Sequence, residues 1–301
     1  MSEDKREQRN QVFVPQVTQV APVQQALPTG VDPRVPHQTA LEKAKSDFGI
    51  DIPIEQVPLP SSGLVYPSTS TLAGRDTVDI RVMTAHEEDI LTSSAYLKKG
   101  TVITELLKSC LIDKTIDPLD LLVGDRNALM VAIRITGYGS DYTVEVECNE
   151  CNVKSECTFN LGELPIRRLS INPVSSGMNL FEFALPATKK VVRFKFLTGR
   201  DEQTIVETTQ KQKKLGMNTD QSVTTNLLYS IQAIDGDEKR DRIAGFVRMM
   251  PARDSLALRS FIRDSEPGII MKQEVECPSC GRTEVIGMPI STSFLWPGTE
   301  R

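Results

Sequence analysis

Histidine is almost absent from this chain of 301 residues, which contains only His37 and His86. Because histidine is the side chain most often used for proton transfer near neutral pH, we do not expect catalysis that depends on it. The sequence also lacks an uninterrupted apolar run of about 18 residues, so no transmembrane helix is predicted. The N-terminal segment MSEDKREQRNQ has no apolar core, and we therefore expect no secretory signal.

An excess of basic charge is missing as well. The chain has 35 Lys and Arg against 40 Asp and Glu, a formal net charge of -5. Nucleic-acid-binding domains usually carry a basic balance or a basic stripe, so nucleic acid is not an expected partner, and neither is a membrane.

Motifs of the common enzyme classes are also missing. The sequence has no P-loop, no GxGxxG after a strand and no GxSxG. Acidic residues are plentiful, but runs such as Glu87-Glu88-Asp89 and Asp201-Glu202 follow the pattern of solvated helix faces. We therefore predict that the protein is not an enzyme.

Six cysteines without a signal segment indicate an intracellular thiol or metal role rather than a disulfide framework. Four of them form two CxxC pairs: Cys148, Cys151, Cys277 and Cys280. Each pair follows one strand-like segment and leads into another, as in the hairpin turns of a zinc ribbon. Asn152 and Gly281 come directly after the pairs, where the turn needs a residue that tolerates positive φ.

Four thiolates complete the tetrahedral coordination of a closed, structural Zn²⁺ site and leave no position for a catalytic water. We therefore predict Zn²⁺ as a structural cofactor. Two alternatives remain open: incidental thiols, and two thioredoxin-like motifs, which would need a helix starting at each pair. Cys157 is expected near the site as a buried thiol, and Cys110 on the apolar face of a helix.

Residues 1–57 form a Pro/Gln-rich segment that differs from the rest. Eight of the 18 prolines lie in the first sixty residues, and such a composition buries too little apolar surface to offset its ordering entropy. This segment is predicted to be either a disordered tail or an extended arm that becomes ordered on a partner. In the second case Val12, Phe13 and Val14 are candidate docking residues.

Residues 58–301 are predicted to form one domain of the α+β class. It combines antiparallel strands, a split zinc ribbon with four cysteine ligands (141–160 and 270–290) and a largely helical inserted region (199–265). In such a domain the metal joins the start and the end of one structural unit.

Several local predictions follow from residue patterns. A capping box of Thr84 and Glu87 predicts a helix start, and apolar spacing predicts a helix over 101–112. Further helices are predicted from Asp117-Pro118, where proline suits the first turn, and over 126–135. Another is predicted with Val223, Leu227, Ile231 and Ile234 along one face. The last segment, 273–290, is predicted to return to strands.

Five stretches besides the cysteine pairs carry a family resemblance: 59–66 (LPSSGLVY), 84–91 (TAHEEDIL), 124–129 (GDRNAL), 134–139 (RITGYG) and 294–297 (FLWP). Together with the pairs, their order and spacing resemble the T4-type phage baseplate protein family, whose members belong to the baseplate hub and its assembly in contractile-tailed phages. The resemblance covers about residues 57–297.

The resemblance implies a non-enzymatic tail protein that binds other phage tail and baseplate proteins, with a homo-oligomer as a further possibility. Such a protein would be in the host cytoplasm during assembly, and in the virion tail baseplate if it is a structural subunit. A transient hub-assembly factor, absent from the virion, is the alternative. Phe294 and Trp296 are candidate docking residues, because aromatic side chains are preferred interface anchors.

A nucleic-acid-binding zinc ribbon is the second alternative. It predicts basic or aromatic residues around the cysteine pairs. The sequence places glutamates there instead: Glu145, Glu147, Glu150, Glu274 and Glu276.

Overall fold

The structure is a computed structural model that describes residues 49, 51–214, 222–288, 290 and 292–295. The strands are β1 (Ile54–Pro58), β2 (Thr77–Arg81), β3 (Asp141–Glu147), β4 (Lys154–Asn160), β5 (Ile166–Arg167), β6 (Phe181–Ala184), β7 (Val191–Phe194), β8 (Ile231–Ile234), β9 (Gly268–Ile269), β10 (Lys272–Glu276) and β11 (Thr283–Gly287). The helices are α1 (Ala85–Thr92), α2 (Ser94–Lys99), α3 (Val102–Cys110), α4 (Val123–Tyr138), α5 (Gly199–Lys214), α6 (Ser222–Ser230), α7 (Arg240–Met249), α8 (Ala252–Ser265) and α9 (Thr292–Leu295).

All strand pairs among the described residues are antiparallel, and they form small separate sheets. The hairpins β1–β2, β3–β4 and β10–β11 are two-stranded, β5 pairs with the distant β9, and β6, β7 and β8 form a three-stranded sheet. The predicted α+β class is confirmed. No helix in the described ranges is long and apolar enough to cross a membrane.

The first strand begins earlier than the sequence suggested. β1 pairs with β2 from Ile54↔Arg81 to Pro58↔Thr77, and Val57 is buried in the core. Residues 54–57, assigned above to the N-terminal segment, therefore belong to the sheet. Most of that segment, with Val12, Phe13 and Val14, lies outside the described residues, as does Trp296.

Helix α4 lies at the centre of the packing. It contacts β1, β2, β9, α3 and α5, and its residues 128–133 are all buried. A Cβ atom on Gly124, in its first turn, would overlap the carbonyl oxygen of Pro267. Only glycine allows this approach between the helix and the chain entering β9.

The start of α1 confirms the capping box and corrects the prediction for its acidic residue. Glu87 accepts hydrogen bonds from the backbone amide of Thr84 at 2.8 Å and from Arg81 at 2.5 Å and 3.0 Å. It also accepts one from Ser109 at 2.5 Å. The prediction of a solvated face was wrong at this position, since Glu87 is fully buried.

The electrostatics of Glu87 follow from this environment. Burial opposes its ionisation, but the hydrogen bonds from Arg81, Ser109 and Thr84 outweigh burial and lower its pKa to about 2. A buried charge of this kind is tolerated because it is paired and fully hydrogen-bonded.

The structure has no helix at the position predicted from Asp117, and residues 118–120 form a turn instead. The carboxylate of Asp117 accepts the amide of Leu119 at 3.0 Å, so the aspartate closes a turn rather than capping a helix. The chain then extends, and Leu122 pairs with Thr198 in an isolated bridge. α4 starts directly after this bridge, three residues before the predicted start at 126, and ends at Tyr138, three residues beyond the predicted end at 135.

The helix predicted through Ile234 was wrong in its second half. α6 ends at Ser230, and the next four residues form β8, in which Ile231 and Ala233 are buried. This alternation has the period of a strand. Pairing with β7, from Val192↔Ile234 to Phe194↔Ile231, overrides the helical spacing of the apolar residues.

The three-stranded sheet and α8 enclose an aromatic cluster. Phe181 packs against Phe194 and Phe196, with ring centroids 5.7 Å and 4.7 Å apart. Phe261 of α8 stacks on Phe183 at 4.5 Å. The cluster fixes one face of α8 to the sheet and leaves its opposite face on the surface.

Candidate metal centre

Two hairpins carry the cysteine pairs at their turns. The hairpin β3–β4 is in register from Asp141↔Asn160 to Glu147↔Lys154, and β10–β11 from Lys272↔Gly287 to Glu276↔Thr283. In both, alternate residues are half-buried and the others exposed. A small cavity of about 10 Å³, lined by Val146, Val275 and Ile286 among others, lies between the two half-buried faces.

The turns have the backbone geometry that the sequence predicted. Asn152 has φ 54° and Gly281 has φ 70°. Their amides donate to the carbonyl oxygens of Cys148 and Cys277, each at 2.9 Å. Each turn therefore folds back on its first cysteine, and both sulfurs of a pair face the same side.

The four sulfurs converge on one point. The Sγ atoms of Cys148 and Cys280 are 3.7 Å apart, those of Cys151 and Cys277 are 3.6 Å apart, and all four lie within 4.8 Å of one another. A disulfide would need about 2.05 Å. Four thiolates around a tetrahedral Zn²⁺ with bonds of about 2.3 Å would be about 3.8 Å apart. The arrangement could hold a metal ion.

In each pair the first cysteine is more buried than the second. Cys148 and Cys277 are buried, while Cys280 is exposed. The backbone amides of Cys280 and Ser279 lower the pKa of Cys277 to about 7. At Cys280 the amide of Arg282 favours the thiolate, but loss of hydration and the neighbouring sulfurs outweigh it and raise the pKa to about 12. A bound cation would favour the thiolate form of all four cysteines.

Polar contacts between the hairpins surround the sulfurs. The amide of Asn149 donates to Glu284 at 2.9 Å, and Arg282 forms an ion pair with Glu150. Each contact joins one hairpin to the other. The two halves are therefore held in register by side chains as well as by the sulfur cluster.

The remaining cysteines lie apart from the cluster. Cys110 is fully buried on α3, where burial raises its pKa to about 12. Cys157 faces the half-buried side of β4 and is not one of the four grouped sulfurs. In the described ranges no helix begins at either cysteine pair, which removes the structural setting required by the thioredoxin alternative.

Phe294, a candidate docking residue in the sequence, lies in the interior of the structure. Its side chain is fully buried, and its ring meets that of Tyr142 at a centroid distance of 5.0 Å. It packs within its own chain, next to the base of the first hairpin, and offers no surface to a partner. The other predicted docking residues (Val12, Phe13, Val14 and Trp296) lie outside the described residues.

A buried polar group that the residue pattern did not reveal lies beside α4. Asp125 is fully buried and accepts hydrogen bonds from the amide and hydroxyl of Ser61, at 3.0 Å and 2.6 Å. The hydroxyl of Tyr66 donates at 2.6 Å. Burial raises the pKa of Asp125, while these hydrogen bonds oppose the shift. The carboxylate joins residues 61–66 to the central helix.

This polar group explains part of the resemblance noted in the sequence. Ser61 and Tyr66 belong to the stretch LPSSGLVY, and Asp125 to GDRNAL. The next residue, Arg126, is also buried and pairs with Glu202 at 3.0 Å. The side chains that carry these stretches therefore stabilise the fold. In the sequence, the only indication of this contact was that both stretches occur in the same chain.

Comparison with known proteins gives one family. A family model described as "T4 bacteriophage base plate protein" matches residues 64–296, a range that includes both cysteine pairs. Searches of the curated proteins and of the solved structures give no match.

Proposed function

The chain belongs to the T4 bacteriophage base plate protein family, and on that premise we propose that it is a non-enzymatic structural subunit of the baseplate and hub in a contractile phage tail. Its partners would be other tail proteins. The observation that carries the proposal is the extent of the family match, 64–296, which takes in the central helix, the three-stranded sheet and both hairpins.

The fate of the buried acidic groups supports a structural role. Asp125 and Glu87 are fully buried and committed to internal hydrogen bonds. Asp254, also fully buried, accepts the backbone amides of Ala187 and Thr188 at 2.6 Å and 3.0 Å. Each carboxylate fixes one segment to another instead of facing a cleft where a substrate could bind.

We further propose that the four cysteines Cys148, Cys151, Cys277 and Cys280 bind one structural Zn²⁺. Support comes from the sulfur spacing of 3.6–3.7 Å, which matches tetrahedral thiolate coordination. The metal would join residues 126 or more positions apart in the chain. In the chain-entropy model such a cross-link stabilises the fold by about 4–5 kcal/mol, in addition to the metal–ligand energy.

Metal analysis of the purified chain tests this proposal. We expect one zinc per chain by plasma mass spectrometry. Zinc content should be lost in Cys277→Ser, whereas Cys157→Ser, which changes a thiol of the same ribbon outside the cluster, should keep it. Full zinc content in Cys277→Ser would refute the site.

In the proposed arrangement the zinc-held unit includes β1 and covers residues 54–301, and the residues before it act as an arm that binds neighbouring tail proteins. The role as a subunit is tested by mass spectrometry of purified virions, in which the chain should occur at a fixed stoichiometry. Absence from virions, together with loss of hub formation when the gene is deleted, would instead identify a transient assembly factor.

Nucleic-acid binding through the ribbon is disfavoured by charge. The outer face of the β3–β4 hairpin exposes Glu145, Glu147 and Glu156, which would repel phosphate groups. Strong binding to DNA that weakens with salt would contradict the proposal.

A further inference from the structure

The exposed face of α8 is basic and apolar. Ala252, Leu256, Arg259 and Arg263 recur at helical spacing and are all exposed, with Arg253 beside them. Leu256 is 59% exposed. Because the opposite face of the helix packs on the aromatic cluster through Phe261, this stripe has a fixed orientation and no covering element within the described part of the chain.

Two of the three arginines on this face are available for an external partner, since Arg263 already pairs with Asp264 at 3.0 Å. Arg253 and Arg259 form no ion pair with any described residue, and Arg259 donates only to the carbonyl oxygen of Ser255 in its own helix. Residues 239–263 hold seven Lys and Arg against two Asp. One of these, Asp254, is buried. Because Asp237 pairs with Arg242 and Asp264 with Arg263, the positive charge that remains unpaired on α8 is that of Arg253 and Arg259, in a protein whose net charge is -5.

The outer face of the β3–β4 hairpin has the opposite character. Residues 141–160 hold five Asp and Glu against one Lys. Glu145 and Glu156 are direct cross-strand partners, an arrangement of like charges that destabilises a strand pair. Lys154 pairs with Glu145 at 2.7 Å, whereas Glu156 has no ion pair among the described residues. The hairpin thus carries an electrostatic cost that a cationic partner would remove.

We propose that the basic stripe of α8 binds the acidic outer face of the β3–β4 hairpin of a second copy of this chain. The argument rests on charge complementarity between two fixed surfaces, and it goes beyond the proposed place in the baseplate. Because the two surfaces are different, the contact is heterologous. Repetition of such a contact produces a ring if the rotation closes and a chain of subunits if it does not.

Sedimentation velocity of the zinc-loaded full chain tests the contact. At about 0.02 M salt the weight-average mass should at least double as concentration rises, and at about 0.5 M salt the chain should return to monomer, because salt screens exposed charges. A chain that stays monomeric at low salt over the whole concentration range would overturn the proposal.

Two charge-reversed variants sharpen the test. In Arg253→Glu/Arg259→Glu both surfaces are acidic, and in Glu145→Lys/Glu156→Lys both are basic. Each variant alone should be monomeric at low salt. Mixed in equal amounts, they should associate again, since each then offers the complement of the other. Failure of the mixture to associate would also overturn the proposal.

The control is Lys98→Glu/Lys99→Glu on α2, which reverses two exposed charges elsewhere and should associate like the unaltered chain. Zinc content and circular dichroism of all variants establish that they are folded. Equal loss of association in the control and in the α8 variant would show a general effect of net charge and would refute a specific contact.

Discussion

The ribbon and the central helix are stabilised in different ways. Around α4 the chain buries apolar side chains on all sides and places Asp125 and Glu87 in fully hydrogen-bonded networks. In the two hairpins one face is half-buried and the other is exposed, and the group of four sulfurs lies where their turns meet. Packing therefore stabilises the region around α4, whereas the proposed metal would stabilise the ribbon.

Removing the metal should have the largest effect. In Cys277→Ser, or after chelation, we expect a loss of at least about 4–5 kcal/mol, because the long intervening loop is no longer closed. Hydrogen exchange should accelerate in β3, β4, β10 and β11 while amides of α4 remain protected. Equal acceleration in both regions would show that the two are not separable; Cys157→Ser is the control.

Asp125→Ala tests the region around α4 and should cause the second-largest loss of stability. The substitution leaves the donors of Ser61 and Tyr66 buried without an acceptor, at a cost of about 3–5 kcal/mol. Denaturant unfolding measures this loss, and zinc content should remain unchanged. The matched control is Asp120→Ala, which removes an exposed ion pair to Arg200 and should cost at most about 1 kcal/mol.

Glu87 gives the central region a pH dependence of intermediate size. Its pKa is lowered from 4.5 to about 2, so the folded state favours the ionised form. The resulting stabilisation is complete above pH 4.5 and is lost as pH falls towards about 2, for a total of about 3 kcal/mol.

Unfolding of the unaltered chain and of Glu87→Gln at several pH values measures this contribution. The stability difference between them should shrink by about 2 kcal/mol between about pH 7 and about pH 3. The control is Asp89→Asn, which changes an exposed carboxylate two residues after Glu87. A stability difference that does not change with pH would contradict the conclusion that Glu87 is ionised and paired in the folded protein.

The ion pair between Arg282 and Glu150 should have the smallest effect. Both side chains are more than half exposed, and exposed pairs contribute about 0–1 kcal/mol. Arg282→Ala should therefore leave zinc content unchanged and lower thermal stability only slightly. A large loss of zinc in this variant would mean that side chains, rather than the sulfurs, position the hairpins.

The sequence predicted the ribbon well because its signals are local. The CxxC spacing and the residues after it, Asn152 and Gly281, determine a turn without reference to the rest of the chain. The strand at Ile231 was missed because pairing with β7 decides it, and no local pattern reports a partner forty residues away. Asp125 was missed for the same reason, since its partners Ser61 and Tyr66 lie on another segment.

The distance along the chain between the two cysteine pairs affects how the protein is made. Cys151 leaves the ribosome 126 residues before Cys277, which at about 5–20 residues per second is about 6–25 s. During this time only two of the four cysteines of the proposed metal site, Cys148 and Cys151, have been translated. The ribbon can close only after Cys280 has been translated, so products that end before this residue stay open.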